Sequence, residues 1–240
     1  MESTKTRILK KLLETDGYLS GQELCEQLGV SRTAVWKYMK QLKEEGYEIE
    51  AVQNKGYCLK DVPDVLGESE IKSRLHTRWA GQTLYYYDEI DSTNTQIKRL
   101  AEEDAPHGTL AVADYQSRGK GRRGRAWDSP HGSAIYMSIL FRPEIRPDRA
   151  SMLTLVIGLS VTQAIRSNLG LQAQIKWPND VVLNGKKLVG ILTEMSAQMN
   201  YIEYLVTGIG INANLREFPE ELEDKATDRK STRLNSSHGK

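Results

Sequence analysis

The sequence is poor in cysteine and lacks any regular set of metal ligands. The 240 residues include two cysteines, Cys25 and Cys58, which are too few for a disulfide framework and favour a reducing compartment. None of the histidines, at positions 76, 107, 131 and 238, has the spacing of a zinc ligand relative to either cysteine. We therefore expect no structural zinc site and no disulfide-based fold.

Long apolar runs and a large net charge are also missing. The chain has 33 Lys and Arg against 32 Asp and Glu, a net charge of +1, so any affinity for DNA must come from local patches. Uninterrupted apolar runs are only a few residues long, and the first residues lack the apolar stretch of a signal peptide. With 39% apolar and 27% charged residues, we expect a cytoplasmic globular protein of one or two domains with no membrane partner.

Residues 1–62 have the pattern of a winged helix-turn-helix domain. An apolar helix is followed by a short helix that begins after Ser20 and ends at Gly29, and then by a third helix after Ser31. Ser20 and Glu23 have the spacing of a capping box. Two short strands joined by a Gly-containing turn complete the pattern of helices and wing.

The third helix carries the candidate DNA-binding residues. Hydroxyl groups, helix N-terminal amides and basic side chains are the groups that phosphates and base edges require. A protein-binding winged helix or a merely solvated face is the alternative, because acids and bases are about equally numerous in this domain. The basic residues cluster on this helix and at Lys55 of the wing, which favours DNA. The predicted DNA-binding residues are Ser31, Arg32, Thr33, Ala34 and Lys37.

The rest of the chain predicts an α+β domain. The pattern breaks at residues 63–72, a predicted linker, and residues 73–227 then mix strands and helices in the manner of a mainly antiparallel mixed sheet. Apolar residues at helical spacing predict a long, well-buried helix over 149–168. Residues 228–240 are polar, Ser-rich and aperiodic, and are expected to be a disordered or non-native tail.

A glycine-rich basic segment follows the predicted strand 109–116. Gly119 to Gly124 match the GxGxxG pattern of dinucleotide-binding folds, but Trp, Pro and Gly follow where a helix should begin. Five basic side chains without an acid occupy residues 118–125, which indicates either a solvated surface loop or a site for an anion. Repulsion among these charges favours the anion site and predicts that the loop is mobile until the anion binds.

Two further polar segments are weak signals by themselves. Lys176 to Asp180, with the sequence KWPND, lies shortly before the GKKLVG segment of residues 185–190. Ser92 to Asn94 stand at the start of a predicted helix, where an N-cap would explain Ser92. A structural turn and a helix cap are the simpler interpretations of these two segments.

Taken together and in this order, the segments DEIDSTN, GKGRRGRAW, KWPND with KKLVGIL, and GIGINAN resemble the biotin protein ligase family. The resemblance extends over residues 5–227 and covers its bifunctional members, which are also biotin operon repressors. It implies a class II synthetase-like catalytic domain that makes biotinyl-5′-adenylate from biotin and ATP and transfers biotin to a lysine of a biotin carboxyl carrier protein. It also implies binding to operator DNA as a ligand-linked homodimer with the adenylate as corepressor, and Mg²⁺ accompanies the ATP chemistry.

The resemblance assigns roles position by position. The catalytic residues are Lys187 and Arg122, while no ligands can be assigned to the metal. The residues implied to bind biotin are Ser92, Thr93, Asn94, Gln116, Lys120, Gly121, Arg122, Lys187 and Gly190. The residues implied to bind ATP or the adenylate are Arg118, Lys120, Arg122, Arg125, Trp127, Lys176, Asp180 and Asn212.

The sequence departs from the family pattern at two points. Lys120 stands where the family loop has an arginine, which keeps the charge but loses bidentate phosphate geometry. The family's C-terminal β-barrel domain is not expected within these 240 residues.

Two alternative functions remain open. A lipoate- or octanoate-handling acyltransferase would need an apolar tunnel instead of neutral polar groups. A biotin-sensing repressor without ligase chemistry would not need Lys187 or the basic loop.

Overall fold

The computed structural model describes residues 3–214 and 226–228, and divides between His76 and Thr77 into two compact units. Each unit has its own hydrophobic core. Residues 229–240 of the predicted tail lie outside the described residues, and Asp228, also assigned to the tail, is buried.

The first unit consists of three helices, an antiparallel hairpin and a fourth helix. Apolar side chains from the three helices, among them Leu9, Leu24 and Met39, are almost completely buried in one cluster. This order confirms the predicted winged helix-turn-helix fold. The elements are α1 Thr4–Glu14, α2 Gly21–Leu28, α3 Arg32–Glu44, β1 Glu48–Val52, β2 Gly56–Asp61 and α4 Glu68–Ser73.

The N-termini of α1, α2 and α3 are capped by serines, although the predicted capping box is wrong. The Ser20 hydroxyl accepts a hydrogen bond from the backbone N–H of Gln22, one residue earlier than a capping box requires. The Glu23 carboxylate instead accepts from the side chain of Gln27, one turn along the same helix. Ser31 caps α3 through the N–H of Ala34, so the third helix begins where the sequence predicted.

Part of the predicted linker is a helix of the first unit. Helix α4 lies within the stretch 63–72 assigned to the linker and extends one residue past it. The Tyr47 hydroxyl donates a hydrogen bond to the Glu70 carboxylate, and Arg74 forms an ion pair with the same carboxylate at 2.6 Å. The connection between the units is therefore shorter than the composition of this stretch indicated.

The second unit is built on a seven-stranded sheet with the order β3-β4-β5-β9-β8-β7-β6. Strands β3 and β4 are parallel and the other pairs are antiparallel, which confirms the predicted α+β class with a mainly antiparallel sheet. The elements are β3 Leu84–Ile90, α5 Thr93–Glu102, β4 Leu110–Gln116, β5 Ala134–Phe141, α6 Ala150–Leu169, β6 Gln174–Lys176, β7 Asp180–Leu183, β8 Lys186–Ala197 and β9 Ile202–Asn212.

Helix α6 was predicted to be well buried, and this prediction is wrong for about half of its surface. Val161 and Ile165 pack into the core beside β7 and β8, whereas Met152 and Val156 are 58% and 53% exposed. Apolar periodicity cannot tell which apolar face of a helix is covered. In length and composition the stretch Pro147–Leu169 would suffice to cross a membrane, but the packing of Val161 and Ile165 makes it part of this folded unit.

Candidate functional site

A cavity opens in the second unit over strands β8 and β9, beside the start of α5, with about 460 Å³ of empty space that is continuous with solvent. The basic segment after β4 forms its rim, and parts of the chain that are far apart in sequence meet there. The fold brings all of the residues implied to bind biotin to this one cavity. They are Ser92, Thr93, Asn94, Gln116, Lys120, Gly121, Arg122, Lys187 and Gly190.

One wall of the cavity is neutral and polar. The backbone N–H and the hydroxyl of Thr93 lie 2.9 and 3.1 Å from Oε1 of Gln116, and the Gln116 Nε2 donates to the Ser129 hydroxyl at 3.0 Å. These partners determine which end of the Gln116 amide is oxygen and which is nitrogen. The wall is therefore held in one arrangement of donors and acceptors.

Ser138 supports this wall from below, and the sequence analysis missed it. Its hydroxyl lies 2.6 Å from Oδ1 of Asn94 and 2.7 Å from Oγ1 of Thr93, and all three side chains are buried. The available signal was a lone serine in the otherwise apolar and aromatic strand AIYMSILF. A buried hydroxyl of this kind requires partners, and here the partners are two site residues.

Ser92 occupies the N-cap position of α5 but does not cap it. Its side chain makes no capping hydrogen bond, while its backbone N–H donates to the Asp91 carboxylate at 2.7 Å. The simpler interpretation of Ser92 as a helix cap is therefore wrong. The buried hydroxyl lies on the cavity wall instead.

Two glycines make room for Trp127 at the floor of the cavity. A Cβ atom on Gly190 would lie closer than 3.0 Å to Cζ3 of the indole, and one on Gly210 would lie 2.7 Å from Cε2. A larger residue at either of these two positions would displace the ring. The indole Nε1 is buried against Gly210 without a hydrogen-bond partner among the described residues.

The two candidate catalytic cations also line the cavity. Lys187 Nζ lies 2.7 Å from Oδ1 of Asp180 and 5.1 Å from the centre of the Trp127 ring. Arg122 donates from Nη1 to Oδ1 of Asn179 at 2.8 Å. The KWPND segment thus supplies a partner for each cation, Asp180 for Lys187 and Asn179 for Arg122. Asn179 lines the cavity, although the sequence analysis did not select it.

The basic loop folds back on itself instead of starting a helix. The N–H of Gly121 donates to the Arg125 carbonyl at 2.7 Å, and the N–H of Trp127 donates to the Gly119 carbonyl at 2.9 Å. A single 3-10 turn, Arg122–Gly124, lies at the tip, and the chain then continues into β5. Without a helix N-terminus behind the glycines, the dinucleotide-binding alternative is wrong.

The residues implied to bind ATP or the adenylate divide into two groups. Lys120, Arg122 and Trp127 line the cavity. Asn212 lies close behind it, since its Nδ2 donates to the Thr227 carbonyl at 3.2 Å, while the Thr227 N–H donates to the carbonyl of Lys187 at 2.9 Å. The residues of this set that do not line the cavity are Arg118, Arg125, Lys176, Asp180 and Asn212.

In the first unit, the candidate DNA-binding residues are at the N-terminal end of α3. Ser31, Arg32, Thr33 and Lys37 are exposed and Ala34 is partly exposed. Arg32 donates to the side chain of Gln22 on α2 at 3.3 Å, and the neighbouring Trp36 is 60% exposed. This end of the helix therefore offers hydroxyl, basic and aromatic groups on one open face.

Sequence comparison finds the same two-part organisation in known proteins. Residues 86–212 match the Biotin/lipoate A/B protein ligase family, and residues 4–58 match an HTH domain. The chain is 47% identical to the bifunctional ligase/repressor BirA of Bacillus spizizenii over 231 residues, 95% of this chain and 71% of that protein. It is 35% identical to BirA of Escherichia coli K12 over 212 residues, 88% of this chain and 64% of that protein.

Solved structures agree with this assignment. The biotin protein ligase from Aquifex aeolicus in complex with biotin and ATP is 39% identical, with a TM-score of 0.52 over 66% of this chain and 62% of that chain. The Leishmania major ligase with biotinyl-5-AMP, at 23% identity, 65% and 66% coverage and a TM-score of 0.56, shares the fold. The chain therefore belongs to the biotin/lipoate A/B protein ligase family and, like its BirA relatives, joins a helix-turn-helix domain to the ligase domain.

Proposed function

We propose that this protein is an ATP-dependent biotin–[biotin carboxyl-carrier protein] ligase that also represses transcription. The observation that carries the proposal is that one cavity is lined both by a neutral polar wall and by a cluster of cations. Biotin has a neutral ureido ring at one end and a carboxylate at the other. The two sets of lining residues match these two ends.

The neutral wall is suited to the ureido ring. The ring offers two N–H donors and one carbonyl acceptor, and each would be costly to bury without a partner. Asn94 Oδ1 is an acceptor held by Ser138, and Gln116 Nε2 is a donor with a second proton beyond the one given to Ser129. An octanoyl or lipoyl chain would offer no partner to this second proton or to the second lone pair of Asn94 Oδ1, which argues against the acyltransferase alternative.

The cationic side is suited to the first reaction step. The biotin carboxylate attacks the α-phosphorus of ATP, the bond between the α-phosphorus and the bridging oxygen breaks, and pyrophosphate leaves. The carboxylate is already ionised, so the step needs no general base. Lys187 and Arg122 stabilise the charge that accumulates on the α-phosphate, as preorganised cations do in other transfer reactions.

The second step needs no nucleophile from this chain. The amino group of the carrier lysine attacks the acyl carbon of biotinyl-5′-adenylate, AMP leaves, and the amine loses one proton as the amide forms. A biotin sensor without this chemistry would not require Lys187 and Arg122 to face the cavity, which argues against the repressor-only alternative.

We propose that Mg²⁺ enters as part of the MgATP substrate. The described residues contain no group of three or more His, Cys, Asp or Glu side chains that could hold a metal ion. Asp180, the carboxylate next to the cations, is 2.7 Å from Lys187. Phosphate oxygens are the usual principal ligands of Mg²⁺ in such substrates, and the ion neutralises part of their charge.

The helix-turn-helix domain extends the proposal to operator DNA. The exposed residues of α3 contact DNA, and biotinyl-5′-adenylate acts as corepressor by favouring a homodimer that places two such helices on two half-sites. Because the proposed partners, operator DNA and the carrier protein, are cytoplasmic, the proposed activity is cytoplasmic as well. Sedimentation of the chain with and without adenylate tests the dimer, and an unchanged monomer fraction together with unchanged operator affinity would contradict it.

The ligase activity is tested by incubating the chain with biotin, MgATP and a purified carrier domain and then weighing the carrier. We expect one added biotinyl group, and none when the acceptor lysine of the carrier is replaced by arginine. Lipoate and octanoate serve as competing substrates. Transfer of either acid without transfer of biotin would support the acyltransferase alternative, and biotin binding without release of pyrophosphate would support the repressor alternative.

A further inference from the structure

Glu194 on β8 contacts two residues of α5, one of which, Asn94, belongs to the neutral polar wall of the cavity. Its Oε2 accepts a hydrogen bond from Nδ2 of Asn94 at 2.8 Å, and its Oε1 accepts from Nζ of Lys98 at 2.6 Å. Asn94 and Lys98 are four residues apart on the helix, so one carboxylate meets both on the same face. Neither Glu194 nor Lys98 lines the cavity itself.

The carboxylate is held in its charged form. Burial opposes ionisation, but the hydrogen bonds from Lys98 and Asn94, together with the charges of Lys98 and Lys120, lower the pKa of Glu194 below its ordinary value. An ionised carboxylate is an acceptor only. Whatever faces Glu194 must therefore be a donor.

This requirement decides the orientation of the Asn94 amide. Nδ2 must face Glu194, so Oδ1 must face Ser138, whose hydroxyl lies 2.6 Å away. The amide is buried and packed against β9, since a Cβ on Gly208 would clash with Oδ1. An amide in this position has two flipped states of nearly equal shape, and only the partners distinguish them.

We propose that Glu194 is a positioning residue that selects for a ligand N–H donor, by orienting the Asn94 amide so that its oxygen is presented at the neutral wall of the cavity. The inference rests on the proposed function, because a ureido ring is the ligand whose N–H group meets this oxygen. Ser138 would accept either end of the amide, since a hydroxyl both donates and accepts. Ser138 therefore cannot orient Asn94, whereas the Leu192 carbonyl also accepts from Nδ2, at a longer 3.4 Å, and assists Glu194.

The variant Glu194→Gln isolates this role because it is nearly isosteric. A glutamine has one acceptor and one NH₂ group, and the Lys98 ammonium takes the acceptor. The NH₂ group then faces Asn94 and turns its amide over, which places a donor at the wall opposite the ligand N–H. We expect the Kd for biotin, measured by calorimetry without ATP, to rise about tenfold or more.

Lys98→Met is the matched control. It removes the same ion pair as Glu194→Gln but leaves the carboxylate and its hydrogen bond to Asn94 in place. We expect the Kd for biotin to stay within about twofold of the wild-type value. If Glu194 served only as half of a structural ion pair, both variants would lower the melting temperature and change the Kd alike, and the proposal would be overturned.

A reciprocal exchange provides a second test. Asn94→Asp alone places two carboxylates together and should weaken biotin binding. When Asn94→Asp is combined with Glu194→Gln, the new amide on β8 donates to the new carboxylate on α5 and keeps its own oxygen on Lys98. The carboxylate then restores an acceptor at the wall. Biotin binding should recover relative to Asn94→Asp, and no recovery would overturn the proposal.

The wild-type titration separates the two claims. Failure of the wild-type chain to bind biotin contradicts the proposed function itself. Biotin binding by the wild type and equally by Glu194→Gln overturns only the role of Glu194.

Discussion

Gly190 and Gly210 shape the site by the side chains that they lack. Their Cα atoms on β8 and β9 face Trp127, and in antiparallel register they stand directly opposite one another. Sequence reasoning included Gly190 among the biotin-binding residues but gave no place to Gly210. The reason for both glycines is the close approach of the indole, which is visible only when the two strands pair.

Gly190→Ala should disturb this floor. The new methyl group would lie closer than 3.0 Å to the indole of Trp127, so the ring or the strand must move. We expect a loss of about 1–3 kcal/mol in the free energy of unfolding and weaker biotin binding, measured by denaturant titration and calorimetry.

Gly158→Ala provides the comparison for Gly190→Ala. Gly158 lies on α6, and the new methyl group would lie 3.7 Å from Ile191, which is an ordinary van der Waals distance, and away from the indole. This variant should gain up to about 1 kcal/mol of stability and bind biotin normally, because alanine is the better helix former. Equal stability of the two variants would contradict the close approach of Trp127.

Lys187→Ala should slow adenylation far more than it weakens biotin binding. The ammonium faces the cavity beside Trp127, where the charge of the transition state is proposed to develop. Loss of one preorganised charged donor of this kind costs about 10²–10³-fold in rate. The measurement is pyrophosphate release with saturating biotin and ATP.

Lys186→Ala is the control for Lys187→Ala. Lys186 is adjacent on β8, but alternation along a strand directs it to the other face of the sheet, and it does not line the cavity. This variant should release pyrophosphate at close to the wild-type rate. An undiminished rate for Lys187→Ala would remove Lys187 from the proposed mechanism.

At the scale of elements, the basic loop shows how local and tertiary forces compete. Its five cations repel one another, yet backbone hydrogen bonds close the loop and Arg122 reaches across to Asn179. These contacts define one conformation of the loop. Its mobility without ligand stays a prediction.

Trypsin cleavage tests this prediction directly. We expect cleavage within residues 116–127 to slow sharply when biotin and ATP are added, because the adenylate phosphate neutralises the cations. Cleavage after Lys55 in the wing of the first unit serves as the internal control and should not change. Equal cleavage of the loop with and without ligands would show that the anion does not order it.

At the scale of the whole molecule, the two units carry separate functions on one chain. Lys37→Ala should weaken operator binding and lower the salt dependence of the affinity by about 0.9 in log–log slope, the value for one phosphate contact. Adenylation should be unaffected, because the exposed Lys37 lies in the first unit and the cavity lies in the second.

Lys43→Ala, in the last turn of the same helix, is the control for Lys37→Ala. This variant loses the same single positive charge as Lys37→Ala, but Lys43 lies at the end of α3 that is far from the candidate DNA-binding residues. Filter binding or fluorescence anisotropy at several salt concentrations distinguishes the two variants. Equal salt slopes for both would indicate that DNA is not contacted through the N-terminal end of α3.

The order of helices and strands was readable from the sequence because its causes are local. Serine caps set the starts of α2 and α3, and a Gly-containing turn joins the two strands of the wing. Asn-Gly is the residue pair that a type I′ hairpin favours, and Asn184 and Gly185 between β7 and β8 have the positive φ angles of 52° and 80° that it requires.

The sequence by itself determined the order of the two domains, the family and nine residues that line one cavity, because the family resemblance carried by its short motifs assigned these residues together. Only the tertiary structure decided which face of α6 is covered, that α4 occupies part of the predicted linker, and that Ser138, Asn179 and Glu194 support the site. These residues act through partners far away in the chain: Ser138 and Glu194 meet Asn94, and Asn179 meets Arg122. Hydrogen bonds between such distant residues depend on strand register and helix placement, and neither leaves a periodic signal in the sequence.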